Sequence, residues 1–119
     1  MDEKEFKDRT KKLALRVIQL VEALPKGQTG QVIGKQLLRA AMSVGANYRA
    51  ACRAKSTADM INKLKIVEEE ADETLYWLEL VIETDLMPET RLTDLMKETD
   101  EIIAMTVSSI KTLRANRKS

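Results

Sequence analysis

The chain has 119 residues, a length that suits one domain with one hydrophobic core. It is 44% hydrophobic and 33% charged, with a net charge of +1, which excludes an intrinsically disordered chain. It contains no histidine and one cysteine, so the commonest general base and the usual zinc ligands are missing. We therefore expect a protein that is not an enzyme and that uses no metal and no cofactor.

The cysteine usage and the hydropathy also bear on location. Cys52 cannot form a disulfide within the chain, which favours a reducing compartment and predicts a cytoplasmic protein. The N-terminal stretch "MDEKEFKDRTKK" is charged and does not resemble a signal peptide. No run of roughly 18 apolar residues occurs, so no membrane span is expected.

Apolar residues at spacings of three and four predict helices along almost the whole chain. The first predicted helix covers about residues 4–24 and ends at "PKGQTG", where Pro and Gly both disfavour a helix. The second covers about 31–54. The third covers about 57–84, with Ser56 as its N-cap, and ends at "DLMPET". The fourth covers about 89–113.

No segment shows the alternating pattern of a β-strand. Four long helices joined by short connections are typical of an antiparallel up-and-down bundle. The sequence therefore predicts an all-α fold with one four-helix bundle domain over residues 1–119.

Charge is divided unevenly between the two middle helices. Residues 25–56 carry a net charge of +6, and residues 57–87 carry −7. Because consecutive helices of such a bundle lie side by side, a basic helix is predicted to adjoin an acidic one.

The cations of the second helix form a ridge. At about 100° per residue, they fall within an arc of about 80°, opposite the apolar side of the helix. Such a ridge favours binding to the phosphates of RNA or DNA. Two alternatives explain the same pattern without nucleic acid: the cations pair with acids of the third helix, or they are simply exposed to water. The candidate phosphate contacts are Lys35, Arg39, Arg49 and Arg53, with Arg114, Arg117 and Lys118 as a secondary basic segment.

The third helix has two apolar stripes. The first is predicted to face the bundle core and consists of Met60, Leu64, Val67, Ala71, Leu75, Leu78 and Ile82. The second also carries apolar side chains that need burial, and it includes a Trp, a favoured residue in protein interfaces. Self-association through this stripe is one interpretation. In the other, Trp77 merely widens the core stripe, and Glu70 or Glu73 pairs with Arg39 or Arg49. The candidate interface residues are Ile66, Glu70, Glu73, Trp77 and Leu80.

Two spaced motifs resemble a known family. The second helix carries Gln36, Arg39, Ala40, Ser43, Val44 and Asn47. The third carries Glu70, Ala71, Glu73, Thr74, Trp77 and Leu78. Together they resemble the 23S rRNA intervening-sequence proteins, also labelled the S23 ribosomal protein family, over nearly the whole chain.

This resemblance implies a left-handed up-and-down bundle that assembles as a ring, a homopentamer in known relatives. It also implies a relation to the accessory variability determinant proteins of retroelements, which bind a reverse transcriptase and nucleic acid. We therefore expect a non-enzymatic, oligomeric nucleic-acid-binding or adaptor protein. The alternative is a purely structural protein–protein assembly module that binds no nucleic acid.

Overall fold

The computed structural model describes residues 2–118 of the chain. Four α-helices dominate this range, and no strand occurs within it. The predicted all-α bundle is therefore confirmed. The helices are α1 (Glu3–Glu22), α2 (Gln28–Cys52), α3 (Thr57–Glu83) and α4 (Thr93–Lys118), and a 3₁₀ turn at Glu89–Arg91 precedes α4.

Polar side chains fix the beginnings of α1 and α3. The Asp2 carboxylate accepts a hydrogen bond from the Glu5 N–H at 3.2 Å, which caps α1. The Ser56 hydroxyl accepts from the Asp59 N–H at 3.1 Å, as predicted, and the Asp59 carboxylate accepts from the Lys55 N–H at 3.1 Å. This reciprocal arrangement satisfies two backbone donors at the start of α3.

The connection between α1 and α2 depends on close backbone approach. Gly27 has a φ of 152°, a conformation that L side chains rarely adopt. A Cβ at Gly30 would lie 2.8 Å from the Pro25 carbonyl oxygen, so no larger residue fits there without a backbone shift. These glycines let the chain reverse tightly enough for α2 to run back along α1.

Small residues on α2 then bring the two helices together. A Cβ at Gly34 would lie 3.1 Å from Val21 Cγ1, and one at Gly45 would lie 3.3 Å from the Thr10 hydroxyl oxygen. Early α2 thus meets late α1, and late α2 meets early α1. The two helices are antiparallel, as the sequence predicted.

All four helices contribute to one hydrophobic core, which is almost entirely aliphatic. It contains an edge-to-face pair of Phe6 and Tyr48, with ring centroids 4.6 Å apart. The largest fully buried apolar side chains are Phe6, Leu13, Val17, Leu37, Val44, Leu64, Val67, Leu78, Val81, Leu92 and Ile102.

Threonines are buried in this core without polar partners on other helices. The hydroxyls of Thr10, Thr74, Thr99 and Thr106 each donate to the carbonyl four residues earlier, at 2.7–3.0 Å. Because each hydroxyl is satisfied within its own helix, its burial carries no penalty for an unmade hydrogen bond.

The buried side of α3 differs in part from the predicted stripe. Leu64, Val67, Ala71 and Leu78 are buried as expected, but Met60, Leu75 and Ile82 are partly exposed. Ile61, Thr74 and Val81 are buried in their place. The reason is that α3 packs closely against both α2 and α4, so its buried side is wider than one stripe.

The helix pairs do not pack equally. Consecutive helices pack closely, whereas α1 and α4, the first and the last, meet over far fewer contacts. The bundle is thus a row of tightly packed antiparallel neighbours closed by a looser α1–α4 seam.

Candidate nucleic-acid interface

The basic ridge, defined as Lys35, Arg39, Arg49 and Arg53, lies on the side of α2 that faces away from the core. All four residues are exposed. Arg53 is the C-cap of α2 rather than a helical residue, and its N–H donates to the Ala50 and Ala51 carbonyls. At 1.5 Å per residue, the ridge spans about 27 Å along the helix axis.

Arg39 is held by the neighbouring acidic helix. Its guanidinium donates to Glu70 through Nη1 at 2.8 Å and through Nη2 at 3.4 Å, and Nη2 also donates to Glu73. Glu73 Oε2 in turn accepts from the indole N–H of Trp77 at 3.1 Å. We call these four residues the Arg39 network. It confirms the prediction that Arg39 pairs with acids of the third helix.

The network stabilises the charged forms of Arg39 and Glu73. The hydrogen bonds to Glu70 and then to Glu73 raise the pKa of Arg39 above its ordinary value. The hydrogen bond from Trp77, followed by the one from Arg39, lowers the pKa of Glu73. At neutral pH the positive charge of Arg39 is therefore matched by two adjacent carboxylates.

The other three cations of the ridge behave differently. Within residues 2–118, no carboxylate lies within ion-pair distance of Lys35, Arg49 or Arg53. A ridge that looks uniform in the sequence is therefore divided in the structure. One cation is neutralised, and three are available to an external anion.

Apolar side chains are interleaved with these cations. Met42 is 51% exposed and Val32 is 56% exposed, and both lie on the outward side of α2. The cations suit the phosphates of a polyanion, whereas exposed aliphatic side chains beside them suit a protein partner.

The secondary basic segment is part of α4. Arg114 and Arg117 are exposed on its last turns, and the Lys118 side chain lies outside the described part of the chain. An open groove of about 560 Å³ is lined by Tyr48 of α2, Met60 of α3 and Leu113 of α4. The C-terminal end of α4 therefore lies at the same end of the bundle as Arg49 and Arg53.

The predicted interface stripe of α3 is divided in a similar way. Ile66 is 41% exposed, whereas Trp77 and Leu80 are partly buried and pack against the edge of the core. Glu70 and Glu73 belong to the Arg39 network. Of the predicted stripe, Ile66 is the side chain most available to a partner.

A set of α3 residues that shares only Ile66 with the predicted stripe faces away from the core, and we call it the acidic face. Tyr76, 52% exposed, lies on it and contacts the Trp77 ring at a centroid distance of 5.0 Å. None of its carboxylates pairs with a cation in the portion of the chain that is described. The acidic face consists of Ile66, Glu69, Asp72, Tyr76, Glu79 and Glu83.

A second arginine cluster was missed at the sequence level. Arg9 of α1 donates to Glu98 of α4 through Nε at 3.0 Å and Nη2 at 2.7 Å. Its Nη1 lies 3.0 Å from the Met105 sulfur, and its Nη2 lies 3.6 Å from Glu101. Arg9 flanks the apolar stripe of its helix, but the sequence does not show which side of α4 meets that flank.

Cys52 has the environment of a structural cysteine. It is partly buried beside Tyr48, and burial is the main cause that raises the pKa of its thiol. A raised pKa leaves little thiolate at neutral pH, whereas a nucleophilic cysteine requires a lowered one.

Comparison with known proteins places the chain in a family. The model of the 23S rRNA-intervening sequence protein family matches residues 3–108. The chain belongs to this family. The family resemblance predicted from α2 and α3 is thereby confirmed.

A solved structure supports the assignment. The chain is 40% identical to a protein of unknown function from the S23 ribosomal protein family of Bacteroides thetaiotaomicron, known from a crystal structure. The match has a TM-score of 0.86 and covers 93% of this chain and 99% of that one. A search of the curated proteins finds no match.

These comparisons establish the family and its helical fold. The relation to retroelement accessory proteins stays a prediction, as does the left-handed sense of the bundle. Among the described residues, no helix is both long and apolar enough to span a membrane.

Proposed function

We propose that this protein is a non-enzymatic, oligomeric, cytoplasmic bundle that binds RNA or DNA through the basic ridge of α2. In this proposal it acts as an accessory or adaptor protein. Its partners are further copies of itself, five in the ring by family resemblance, together with nucleic acid and a second protein such as a reverse transcriptase.

One observation carries the proposal. Lys35, Arg49 and Arg53 are exposed on one helix, and none of them pairs with a carboxylate among residues 2–118. Unpaired cations on one face can neutralise phosphates and release their counterions, and this release is the main source of nucleic-acid affinity. Arg114 and Arg117 supply further positive charge at the same end of the bundle.

The test is a binding titration with a fluorescein-labelled, mixed-sequence RNA of 20 nucleotides and its DNA counterpart, over 25–200 mM NaCl. We expect affinity to fall steeply with salt, and Arg49→Glu with Arg53→Glu to weaken it more than tenfold. The matched control is Lys11→Glu with Lys12→Glu, which makes the same charge change on α1. Absence of salt-sensitive binding, or an equal loss in the control, overturns the proposal.

The acidic face of α3 favours a second candidate, a protein–protein assembly module. It exposes Ile66 and Tyr76 beside unpaired carboxylates, and α2 exposes Met42 beside unpaired cations. The two surfaces are complementary in charge, so α2 of one copy suits α3 of the next. A contact between different surfaces generates rings when its rotation closes.

Light scattering separates the two candidates when it is combined with the RNA titration. For assembly, Ile66→Asp should lower the mass of the particle, while Gln19→Asp, which adds the same charge at an exposed position of α1, should leave it unchanged. Trp77→Ala is a weaker test, because Trp77 also packs against the core. A mass that Ile66→Asp does not change removes α3 as the interface.

A further inference from the structure

The Arg39 network joins the basic ridge to the acidic helix. Arg39 lies on the ridge between Lys35 and Arg49, so a polyanion that follows α2 must pass it. Its guanidinium already donates to two carboxylates, Glu70 and Glu73. The carboxylate pair thus occupies the position that phosphate oxygens would take.

The exposure of the network decides whether an external anion can compete. The Arg39 side chain is 47% exposed and that of Glu73 is 36% exposed, so both can be reached from solvent, whereas that of Glu70 is 15% exposed. The Arg39–Glu73 contact is therefore the one that an external anion can exchange first. Exposed ion pairs hold weakly, because water and salt screen them. Phosphates held in place by Lys35 and Arg49 on either side would meet Arg39 at a high effective concentration.

We propose that Glu70 and Glu73 compete with nucleic-acid phosphates for Arg39, so that the pair limits both the affinity of the ridge and the net number of counterions that binding releases. The inference rests on the proposed function of α2. It adds that acidic residues of α3, which touch no nucleic acid, set how strongly the ridge binds.

Trp77 supplies an internal signal for this competition. It is the only tryptophan of the chain, and its indole N–H donates to the same Glu73 oxygen that accepts from Arg39. If phosphates draw Arg39 away from Glu73, the charge beside the indole changes. Tryptophan emission should therefore shift when nucleic acid binds.

The first test uses Glu70→Gln with Glu73→Gln, which frees Arg39 and keeps side-chain size. In wild type, the carboxylates that Arg39 leaves take up cations, which offsets the counterion release at its phosphate; the variant has no such uptake. The salt dependence of binding to the 20-nucleotide RNA should therefore steepen by the equivalent of about one phosphate contact, a slope increase of roughly 0.7 for a single strand. Between 50 and 200 mM salt the variant then loses about threefold more affinity than wild type.

Two controls separate this mechanism from a general change in charge. Glu69→Gln with Asp72→Asn makes the same charge change on the acidic face, away from Arg39, and should leave the slope unchanged. Adding Arg39→Gln to the Glu70/Glu73 variant should abolish the gain. An equal gain in the first control, or a gain that survives without Arg39, overturns the inference.

The second test requires no carboxylate variant. Wild-type Trp77 emission, excited at 295 nm and corrected for absorption by the RNA, should change as RNA is added, and Arg39→Gln should suppress that change. Emission that is unchanged at saturating RNA overturns the inference.

The outcomes distinguish this inference from the proposed function. If wild type binds RNA and the carboxylate variant binds with the same salt dependence, the proposed competition is wrong, and RNA binding by the basic ridge is still supported. If neither binds, both proposals fail. If only the carboxylate variant binds RNA, and its binding requires Arg39, the competition is supported. The proposed function of the wild-type ridge then fails, because Glu70 and Glu73 prevent it from binding RNA.

Discussion

Two arginines each form an ion pair between two helices, and they differ in how exposed they are to solvent. Arg9 joins α1 to α4 through a bidentate contact with Glu98, and both side chains are mostly buried, at 24% and 22% exposed. Arg39 joins α2 to α3 through Glu70 and Glu73, and its side chain is 47% exposed. Glu70 is only 15% exposed and Glu73 is 36% exposed, so the two sites differ mainly in the exposure of the arginine and of Glu73.

The packing around each arginine explains what the pair can do. α1 and α4 approach each other closely at fewer positions than consecutive helices do, so we expect Arg9 to contribute to closing that seam. α2 and α3 pack closely along their lengths, so their seam does not depend on Arg39. An ion pair that the fold does not need is free to exchange partners, which is the property that the proposed competition requires.

The largest expected effect comes from Arg9→Ala. It leaves the mostly buried Glu98 without its donor, which should lower the free energy of unfolding by about 1–3 kcal/mol. Urea denaturation followed by circular dichroism measures the loss. Lys12→Ala, at an exposed position of the same helix, is the control. A loss no larger than that of the control would show that Arg9 does not hold the seam.

Arg39→Ala should destabilise the fold by less than Arg9→Ala, because Arg39 and Glu73 are more exposed than Arg9 and are better screened by water. The same urea titrations in 0.1 and 1 M NaCl measure it. High salt should shrink the Arg39 effect more than the Arg9 effect. A larger loss for Arg39→Ala than for Arg9→Ala would reverse the comparison.

A smaller effect is expected in acid. Because the fold lowers the pKa of Glu73, its ionised form stabilises the protein above the unfolded pKa of about 4.3, and this stability is lost as pH falls through the lower folded pKa. On acidification below about pH 4.3, the free energy of unfolding should therefore fall less for Glu73→Gln than for wild type. Urea midpoints at pH 6, 4 and 3 test this, and parallel losses would contradict it.

The smallest effect is expected at Glu101, the outer partner of Arg9. Its carboxylate is 3.6 Å from Arg9 and its side chain is 52% exposed. Glu101→Gln should change the free energy of unfolding by about 0–0.5 kcal/mol. If Glu101→Gln lowered the free energy of unfolding as much as Arg9→Ala, Glu101 rather than Glu98 would be the partner through which Arg9 stabilises the α1–α4 seam.

Helix positions followed from local patterns, but contacts between distant residues did not. The Ser56 cap and the antiparallel order were predictable because turn residues and apolar periodicity act over a few residues. The pairing of Arg39 with Glu70 and Glu73 was predictable as well, because it lies between consecutive helices of opposite charge. The Arg9–Glu98 pair spans 89 residues and depends on how the last helix rotates against the first.

The sequence by itself determined the helices, the family and the presence of a basic ridge beside an acidic helix, because periodicity and spacing encode them directly. Only the tertiary structure decided which charges remain available. That outcome depends on the rotation of each helix about its axis. Packing of the whole core sets this rotation, which turned Arg39 toward carboxylates and left Lys35, Arg49 and Arg53 facing solvent.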